Sequence, residues 1–194
     1  MTTELDQLRS RIAELRQALE AEIEERRETW RYRIEHGRAV FEAGARQRHR
    51  ELREGLAGYI GRARLSVVVT APFIYALIVP FALLDLFVSL YQAVCFPVYG
   101  IPKVRRADHI IIDRHMLAYL NGLQKLNCVY CGYANGLISY VREIAGRTEA
   151  HWCPIKHARG VADPHPHYDA FCDFGDAEGF RAKVDSRDGR RKDG

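Results

Sequence analysis

A long apolar run near the middle of the chain constrains the fold most. Residues 65–102 carry one formal charge, Asp85, and the basic residues that flank the run are Arg62, Arg64, Lys103, Arg105 and Arg106. A membrane-spanning helix needs about 20 apolar residues, so the run is too long for one helix and slightly short for two. We predict a helical hairpin in the membrane over residues 63–104, either transmembrane or re-entrant, that reverses near Pro80 and Asp85. The alternative is one helix over residues 65–84 followed by an interfacial segment.

The basic residues at both ends of the run also predict an orientation. Positively charged flanks stay in the cytoplasm, so both soluble segments are expected on the cytoplasmic side of a cytoplasmic membrane. Membrane lipid is the first predicted partner. The first 20 residues include Glu4, Asp6 and Arg9, which is incompatible with the uncharged core of a cleavable signal peptide.

Residues 1–62 are predicted to form one long amphipathic, coiled-coil helix. Apolar residues recur at alternating steps of three and four, and no proline interrupts the chain before about Tyr59; the clearest positions are Leu5, Leu8, Ile12, Leu15 and Leu19. Such a stripe needs a cover, so the helix is expected to pair with a second copy, with a protein partner or with the rest of the chain. Acidic and basic residues nearly balance, at 25 and 29, which argues against nucleic acid as the partner.

The remaining residues are predicted to form a small helical domain over residues 105–180 and a basic, flexible tail over residues 181–194. Asp113 is the expected N-cap of a helix that begins at Arg114 and breaks near Gly132. A second helix is expected over residues 135–145, ending at Gly146, with loop beyond His157. The whole chain is therefore predicted to be mainly α-helical.

Two pairs of cysteine and histidine residues in this domain have the spacing of metal ligands. Cys128 and Cys131 form a CxxC pair, and Cys153 and His157 follow as CxxxH. Three thiolates and one imidazole suit a structural zinc ion. An iron or iron–sulfur site, a thiol redox pair and unligated core cysteines remain open, and the competing fourth ligands are His151 and Cys172.

Other histidines and carboxylates are weaker candidates for a site. His165 and His167 flank a proline, which is typical of an exposed loop, although they are candidates for an additional metal site. The residues of a conceivable carboxylate and histidine cluster are Asp113, His115, Glu143 and Glu149, but their spacing matches no ExxH pair. We interpret these four as surface or capping groups.

The blocks CVYCGY and WCPIKH carry a resemblance, together with the preceding run LLDLFVSLYQAVCFPVYGIPKVRRADHIIIDRH. They resemble a family of uncharacterised bacterial membrane-associated proteins over roughly residues 70 to 180. The resemblance implies a bacterial protein of the inner membrane with a cysteine site, and it implies no reaction. Cys172 lies outside the two blocks.

The function that these features predict is a membrane-anchored, metal-binding scaffold or adaptor, more consistent with a non-enzyme than an enzyme. No Walker loop, GxGxxG, GxSxG or HExxH motif occurs, so nucleotide binding and the common hydrolase mechanisms lack support. The alternative is a membrane-associated thiol redox or iron-containing electron-transfer protein. In a third possibility the hairpin and coiled coil remodel membranes and the metal is incidental.

Overall fold

A computed structural model describes residues 4–36 and 38–192. The fold is mainly α-helical, as predicted. Two compact units are present, one formed by Met1–Ala63 with Asp113–Val129 and the other by Arg64–Ile112 with Tyr130–Gly194. The boundary after Ala63 lies one residue from the one predicted at residue 62. No unit boundary falls at residue 104, and residues 113–129 group with the N-terminal part of the chain.

The first unit begins with a helix that is shorter than predicted. Helix α1 spans Glu4–Thr29, and strands β1 (Tyr32–Glu35) and β2 (Arg38–Phe41) then form an antiparallel hairpin. Two short helices follow, α2 (Ala43–Glu51) and α3 (Leu56–Gly61). The single helix predicted over residues 1–62 is therefore wrong beyond Thr29. Arg31 has a φ of 52°, which ends the helix, and the aromatic and β-branched residues that follow favour strand.

The apolar stripe of α1 is largely uncovered. Five of its residues expose between 41% and 64% of their surface: Leu8, Ile12, Leu15, Leu19 and Ile23. Aromatic rings connect other parts of this unit. The ring centroids of Phe41 and His49 are 5.1 Å apart, and those of His49 and Tyr119 are 5.2 Å apart. The stripe of α1 is thus available for the partner that the sequence predicts.

The apolar run of the second unit does not turn back on itself. Helices α4 (Leu65–Ala76) and α5 (Ile78–Tyr99) follow one another with a single interruption at Leu77, and together they make an apolar helix of 35 residues, Leu65–Tyr99. The predicted hairpin with its reversal near Pro80 and Asp85 is therefore wrong. Pro80 lies in the first turn of α5, where its ring only disturbs the carbonyl four residues earlier, and Phe81 N–H still bonds to the Leu77 carbonyl at 3.1 Å.

Beyond this helix the chain doubles back along α5 and then enters a second long helix, which runs in the same direction as α5. Gly100, with a φ of 70°, ends α5, and a short helix α6 (Arg106–His109) precedes a 3₁₀ turn at Arg114–Met116. Helix α7 spans Gly122–Trp152, a 3₁₀ turn covers Tyr168–Ala170, and helix α8 spans Ala177–Lys192. Residues 181–192 are thus helical, which corrects the predicted flexible tail; residues 193 and 194 lie outside the described residues.

The start of α7 differs from the prediction. Asp113 makes no side-chain capping bond, and the residues after it form only one 3₁₀ turn. Asn121 caps the long helix instead: its Oδ1 accepts the Gln124 N–H at 3.0 Å, and the Gln124 side chain accepts the Asn121 N–H at 2.9 Å. This reciprocal pair is a capping box, and it places the helix start eight residues later than predicted.

The expected breaks at Gly132 and Gly146 are absent, and two glycines of α7, Gly136 and Gly146, serve close packing. A Cβ on Gly136 would lie 2.7 Å from the His109 carbonyl oxygen and 2.7 Å from Ile110 Cα. Nearby, α5 and α7 enclose the core of the second unit: Phe96, Ile101, Val104, Leu137, Tyr140 and Ile144. Glycine here therefore lets the chain after α5 lie directly on α7.

Replacing Gly136 by alanine is expected to destabilise the protein by about 1–3 kcal/mol, because backbone atoms must move to admit the new methyl group. The matched control is Gly44→Ala in α2, where a Cβ meets nothing within 4 Å. That change is expected to stabilise by up to about 1 kcal/mol through helix propensity. Denaturant unfolding followed by circular dichroism checks both, and equal effects at the two sites would contradict the packing argument.

Candidate functional site

The CxxC pair lies inside α7. Cys128 and Cys131 are one helical turn apart, Cys128 half-buried and Cys131 exposed, and both thiols are free. Residues three apart share one side of a helix, so the two sulfur atoms can act on the same ligand. This part of the predicted site is present as a pair.

The second ligand pair lies beyond the end of α7. Cys153 follows the last helical residue and is exposed, and His157 is also exposed. The Tyr168 hydroxyl accepts the His157 N–H at 2.7 Å, and the two rings stack at 5.9 Å. Cys172 is buried and pairs its backbone with the strand-like residue Ile155. The loop is therefore fixed by tyrosine and backbone contacts.

The two predicted pairs do not meet in one chain. Cys131 and Trp152 are 21 residues apart in an uninterrupted helix, which at 1.5 Å per residue is about 31 Å. Ligands of one zinc ion lie within about 4 Å of each other. Among the residues that the structure describes, no three His, Cys, Asp or Glu side chains are grouped to hold a metal ion. A single four-ligand site of Cys128, Cys131, Cys153 and His157 within one chain is thus not formed, since it needs the helix break that α7 lacks.

The competing ligand His151 also lies far from the CxxC pair. It occupies the last turn of α7, and its ring stacks on Tyr99 at 5.6 Å with an interplanar angle of 18°. Its position therefore serves the contact between the ends of α5 and α7.

Sequence reasoning missed a pairing of histidines with carboxylates that the fold creates. His165 Nε2 lies 2.9 Å from Glu149 Oε2, and His167 Nε2 lies 3.1 Å from Glu143 Oε1. Gly146 lies between the two carboxylates in sequence, and a Cβ there would approach His165 Nδ1 to 2.9 Å. The HPH spacing and two glutamates on one helix were the available signals. The arrangement fastens residues 164–171 to α7.

The same cluster sets the ionisation of Glu143. Burial alone raises the pKa of Glu143, but the hydrogen bonds with Arg147, at 2.7 Å, and with His167 outweigh burial and lower the pKa below its usual value. A carboxyl group with a lowered pKa in the folded state stabilises the fold above the pKa of the unfolded chain. That stabilisation is lost as the pH falls through the lowered pKa of the folded state.

Glu143→Gln is therefore expected to flatten the acid side of the stability profile. The wild-type free energy of unfolding should fall between about pH 5 and pH 3 more steeply than that of the variant. Chemical unfolding at a series of pH values measures both slopes. Identical slopes would show that the contacts of Glu143 with Arg147 and His167 do not form in solution.

Asp85, the one charge of the apolar helix, is satisfied by side chains of the same unit. Arg106 Nη2 donates to Asp85 Oδ2 at 2.7 Å, the Tyr133 hydroxyl donates to it at 3.0 Å, and Ser89 donates to Oδ1 at 3.3 Å. Burial and the bond to Asp85 raise the pKa of Tyr133. We had interpreted Asp85 as the marker of a turn; it instead joins α5 to α6 and α7.

Two helical turns further along, Gln92 makes a second polar link. Its amide donates to the Tyr140 hydroxyl at 2.8 Å and accepts the Val104 N–H at 2.5 Å, and the residue is only 6% exposed. Asp85 and Gln92 lie on the same side of α5 with Val88 and Phe96, and we call these four residues the inner face. The inner face is the side of α5 that α7 covers.

The opposite side of α5 is apolar and uncovered. We call it the outer face. Its seven residues are each 51–65% exposed: Val79, Leu83, Leu86, Phe87, Leu90, Val94 and Val98. Helix α4 continues this exposure with Leu65 at 77%, Val69 at 60% and Phe73 at 75%. By length and composition, Leu65–Tyr99 is a helix that can cross a membrane, which agrees with the predicted membrane segment in its coarse form.

Comparison of the chain with protein-family models, with curated proteins and with solved structures found no match. The resemblance to bacterial membrane-associated proteins therefore stays a prediction. The candidate functional surfaces are those that the geometry itself supplies: the outer face, the stripe of α1 and the CxxC pair.

Proposed function

We propose that the protein is a membrane-attached scaffold or adaptor. The outer face is the observation that carries this proposal, because a row of large apolar side chains faces outward along a helix whose other side is built into a folded unit. Burial of one such side chain contributes about 1.5–3 kcal/mol. Seven on one helix give a driving force for lipid binding that scattered surface leucines do not.

The scaffold role rests on the α1 stripe. Its five exposed apolar residues keep the heptad spacing over most of a helix of 26 residues. An apolar seam of this kind binds another helix, either of a second copy or of a partner protein. The protein would then hold that partner at the membrane, and the location that we propose is the cytoplasmic side of a bacterial inner membrane.

Flotation with vesicles of mixed zwitterionic and anionic phospholipid tests the proposal. The full chain, transferred from detergent, is expected to float with the vesicles and to stay with them at high salt, because the attachment is apolar. Recovery of soluble, folded protein apart from the vesicles would refute membrane attachment. Crosslinking at the α1 stripe then reports whether a second copy is the partner.

Zinc bound by the CxxC pair is the second part of the proposal. Cys128 and Cys131 supply two thiolates on one side of α7, and the remaining ligands must come from outside this pair. Metal analysis by mass spectrometry is expected to find zinc that is lost in Cys128→Ser/Cys131→Ser. Iron with visible absorption would instead favour the electron-transfer alternative.

A dithiol redox role is the alternative that the positions of the thiols favour. Two free cysteines one helical turn apart are within reach of a disulfide, and Cys131 is exposed to an oxidant or a partner thiol. Reversible loss of two thiols on oxidation, with no bound metal, would support this role over zinc. Unchanged thiol counts after oxidation would exclude it.

A further inference from the structure

We propose that the protein attaches to a single leaflet from one side, with the helix Leu65–Tyr99 lying along the membrane surface without crossing it. This inference rests on the proposed membrane attachment and specifies its partner, an anionic lipid surface. Three observations support it: the stretches of chain that form the first unit, the length of the helix, and the charged side chains that lie on and beside its inner face.

The first unit contains chain from both sides of the apolar helix in the sequence. Residues 1–63 precede the helix, residues 113–129 follow it, and both belong to one compact unit. The contact of His49 with Tyr119, at 5.2 Å between ring centroids, joins the two stretches. A helix that crossed once would leave them on opposite sides of a hydrocarbon core about 30 Å thick. If the helix crossed, residues 100–112 would have to cross back beside it, and this segment is mostly not helical and carries the exposed Lys103 and Arg105. Unpaired backbone and charged side chains are costly in the hydrocarbon core, so we infer that both ends of the helix lie on the same side.

The length of the helix agrees with an orientation along the surface. Its 35 residues span about 52 Å, well beyond the thickness of the hydrocarbon core. Exposed apolar residues continue over the whole length, from Leu65 at the start to Val98 at the end. A crossing helix would leave the apolar side chains at its ends in water, whereas a helix in the interface plane can bury apolar side chains along its whole length in lipid.

The inner face needs contact with water or protein. Asp85 bonds to Arg106, which is itself 49% exposed on its side chain, and the adjoining turns of α7 carry Arg142 and Arg147. Charged side chains in the hydrocarbon core are costly. Placing the outer face in the lipid and the inner face away from it satisfies both sides of α5 at once.

Charge at the two ends of the helix selects the lipid. Arg64 precedes the helix, Lys103 and Arg105 follow it, and all three are exposed. Basic residues beside an apolar face are attracted to anionic headgroups of the same leaflet. The surface therefore fits a lipid bilayer better than a second copy of this chain, whose like charges would meet at both ends.

Depth-dependent fluorescence quenching tests the orientation. The two native tryptophans are replaced, Trp30→Phe and Trp152→Phe, and single reporters are introduced as Phe73→Trp, Phe87→Trp and Val98→Trp. The probes are vesicles of mixed zwitterionic and anionic phospholipid, brominated either near the headgroup or near the chain end. A chain that retains Trp30 as its one tryptophan is the control outside the helix.

We expect all three reporters to be quenched strongly by the shallow bromines and weakly by the deep ones, and Trp30 by neither. Strong deep quenching of Phe87→Trp, the reporter nearest the middle of the helix, with none for Val98→Trp would overturn the inference while leaving membrane attachment intact. Absence of quenching in every reporter, with no flotation, would overturn the inference and the proposed function together. The same holds if the outer face is found buried in a dimer of the free protein.

Discussion

Phe87→Glu/Leu90→Glu is expected to release the protein from membranes while leaving its fold unchanged. Both side chains are more than half exposed on the outer face, so the folded chain loses no packing when they are replaced. Transfer to lipid loses about 1.5 kcal/mol or more for each apolar side chain and must also accommodate two carboxylates. The partition coefficient should therefore fall at least about 100-fold.

Vesicle flotation measures this loss, and circular dichroism confirms that the helix content is kept. Val161→Glu is the matched control, because Val161 is an exposed apolar residue, at 41%, in the loop of the same unit. It should bind vesicles as the wild type does, apart from a small electrostatic effect. If the double variant and the control bind equally well, the outer face does not contact lipid.

Gln92→Leu is expected to cost about 2–4 kcal/mol of folding stability. Leucine fills much of the volume of glutamine but leaves two buried groups without their bonds, the Val104 N–H and the Tyr140 hydroxyl. A buried polar group that loses its partner costs about 1–3 kcal/mol. Against a typical total of about 5–15 kcal/mol this is a large fraction, and the link between α5 and α7 depends on it.

Denaturant unfolding in detergent measures the effect, and Tyr140→Phe separates its parts. Tyr140 is 2% exposed, and its replacement removes only the hydroxyl that Gln92 contacts. In Gln92→Leu/Tyr140→Phe the loss should be smaller than the sum of the single losses, because no hydroxyl is left unpaired. Strictly additive losses would mean that the bond between the two side chains is absent in solution.

The local patterns of the sequence predicted the elements whose causes are local. Heptad spacing predicted α1, and the charge-poor run predicted an apolar membrane helix, because both depend on neighbouring residues along the chain. Signals whose meaning depends on distant contacts were misinterpreted. Gly136 looks like any helix-weakening residue until His109 is seen to lie against it, and Pro80 breaks a helix only if it falls beyond the first turn.

In the candidate site, too, the sequence predicted the local part and missed the part that depends on distant contacts. The CxxC spacing is local, and the structure keeps Cys128 and Cys131 together on one turn. Joining them to Cys153 required a bend in α7, but that helix is continuous from Gly122 to Trp152, with Gly136 packed against the chain after α5 and Gly146 against His165. The histidine and glutamate pairs at residues 143–167 are the reverse case: the sequence offers the four residues as candidates, but which histidine meets which glutamate depends on contacts between distant parts of the chain.

The sequence by itself determined that the protein is helical, that it carries an apolar segment of membrane length and that its first helix carries a stripe of apolar residues. Each of these follows from side chains at fixed intervals along one element. Only the tertiary structure decided that the apolar segment runs straight on, that Asp85 is paired to Arg106, and that chain from both ends of the segment meets in one unit. Those outcomes depend on which distant residues come into contact, and the spacing of residues along the chain does not contain that information.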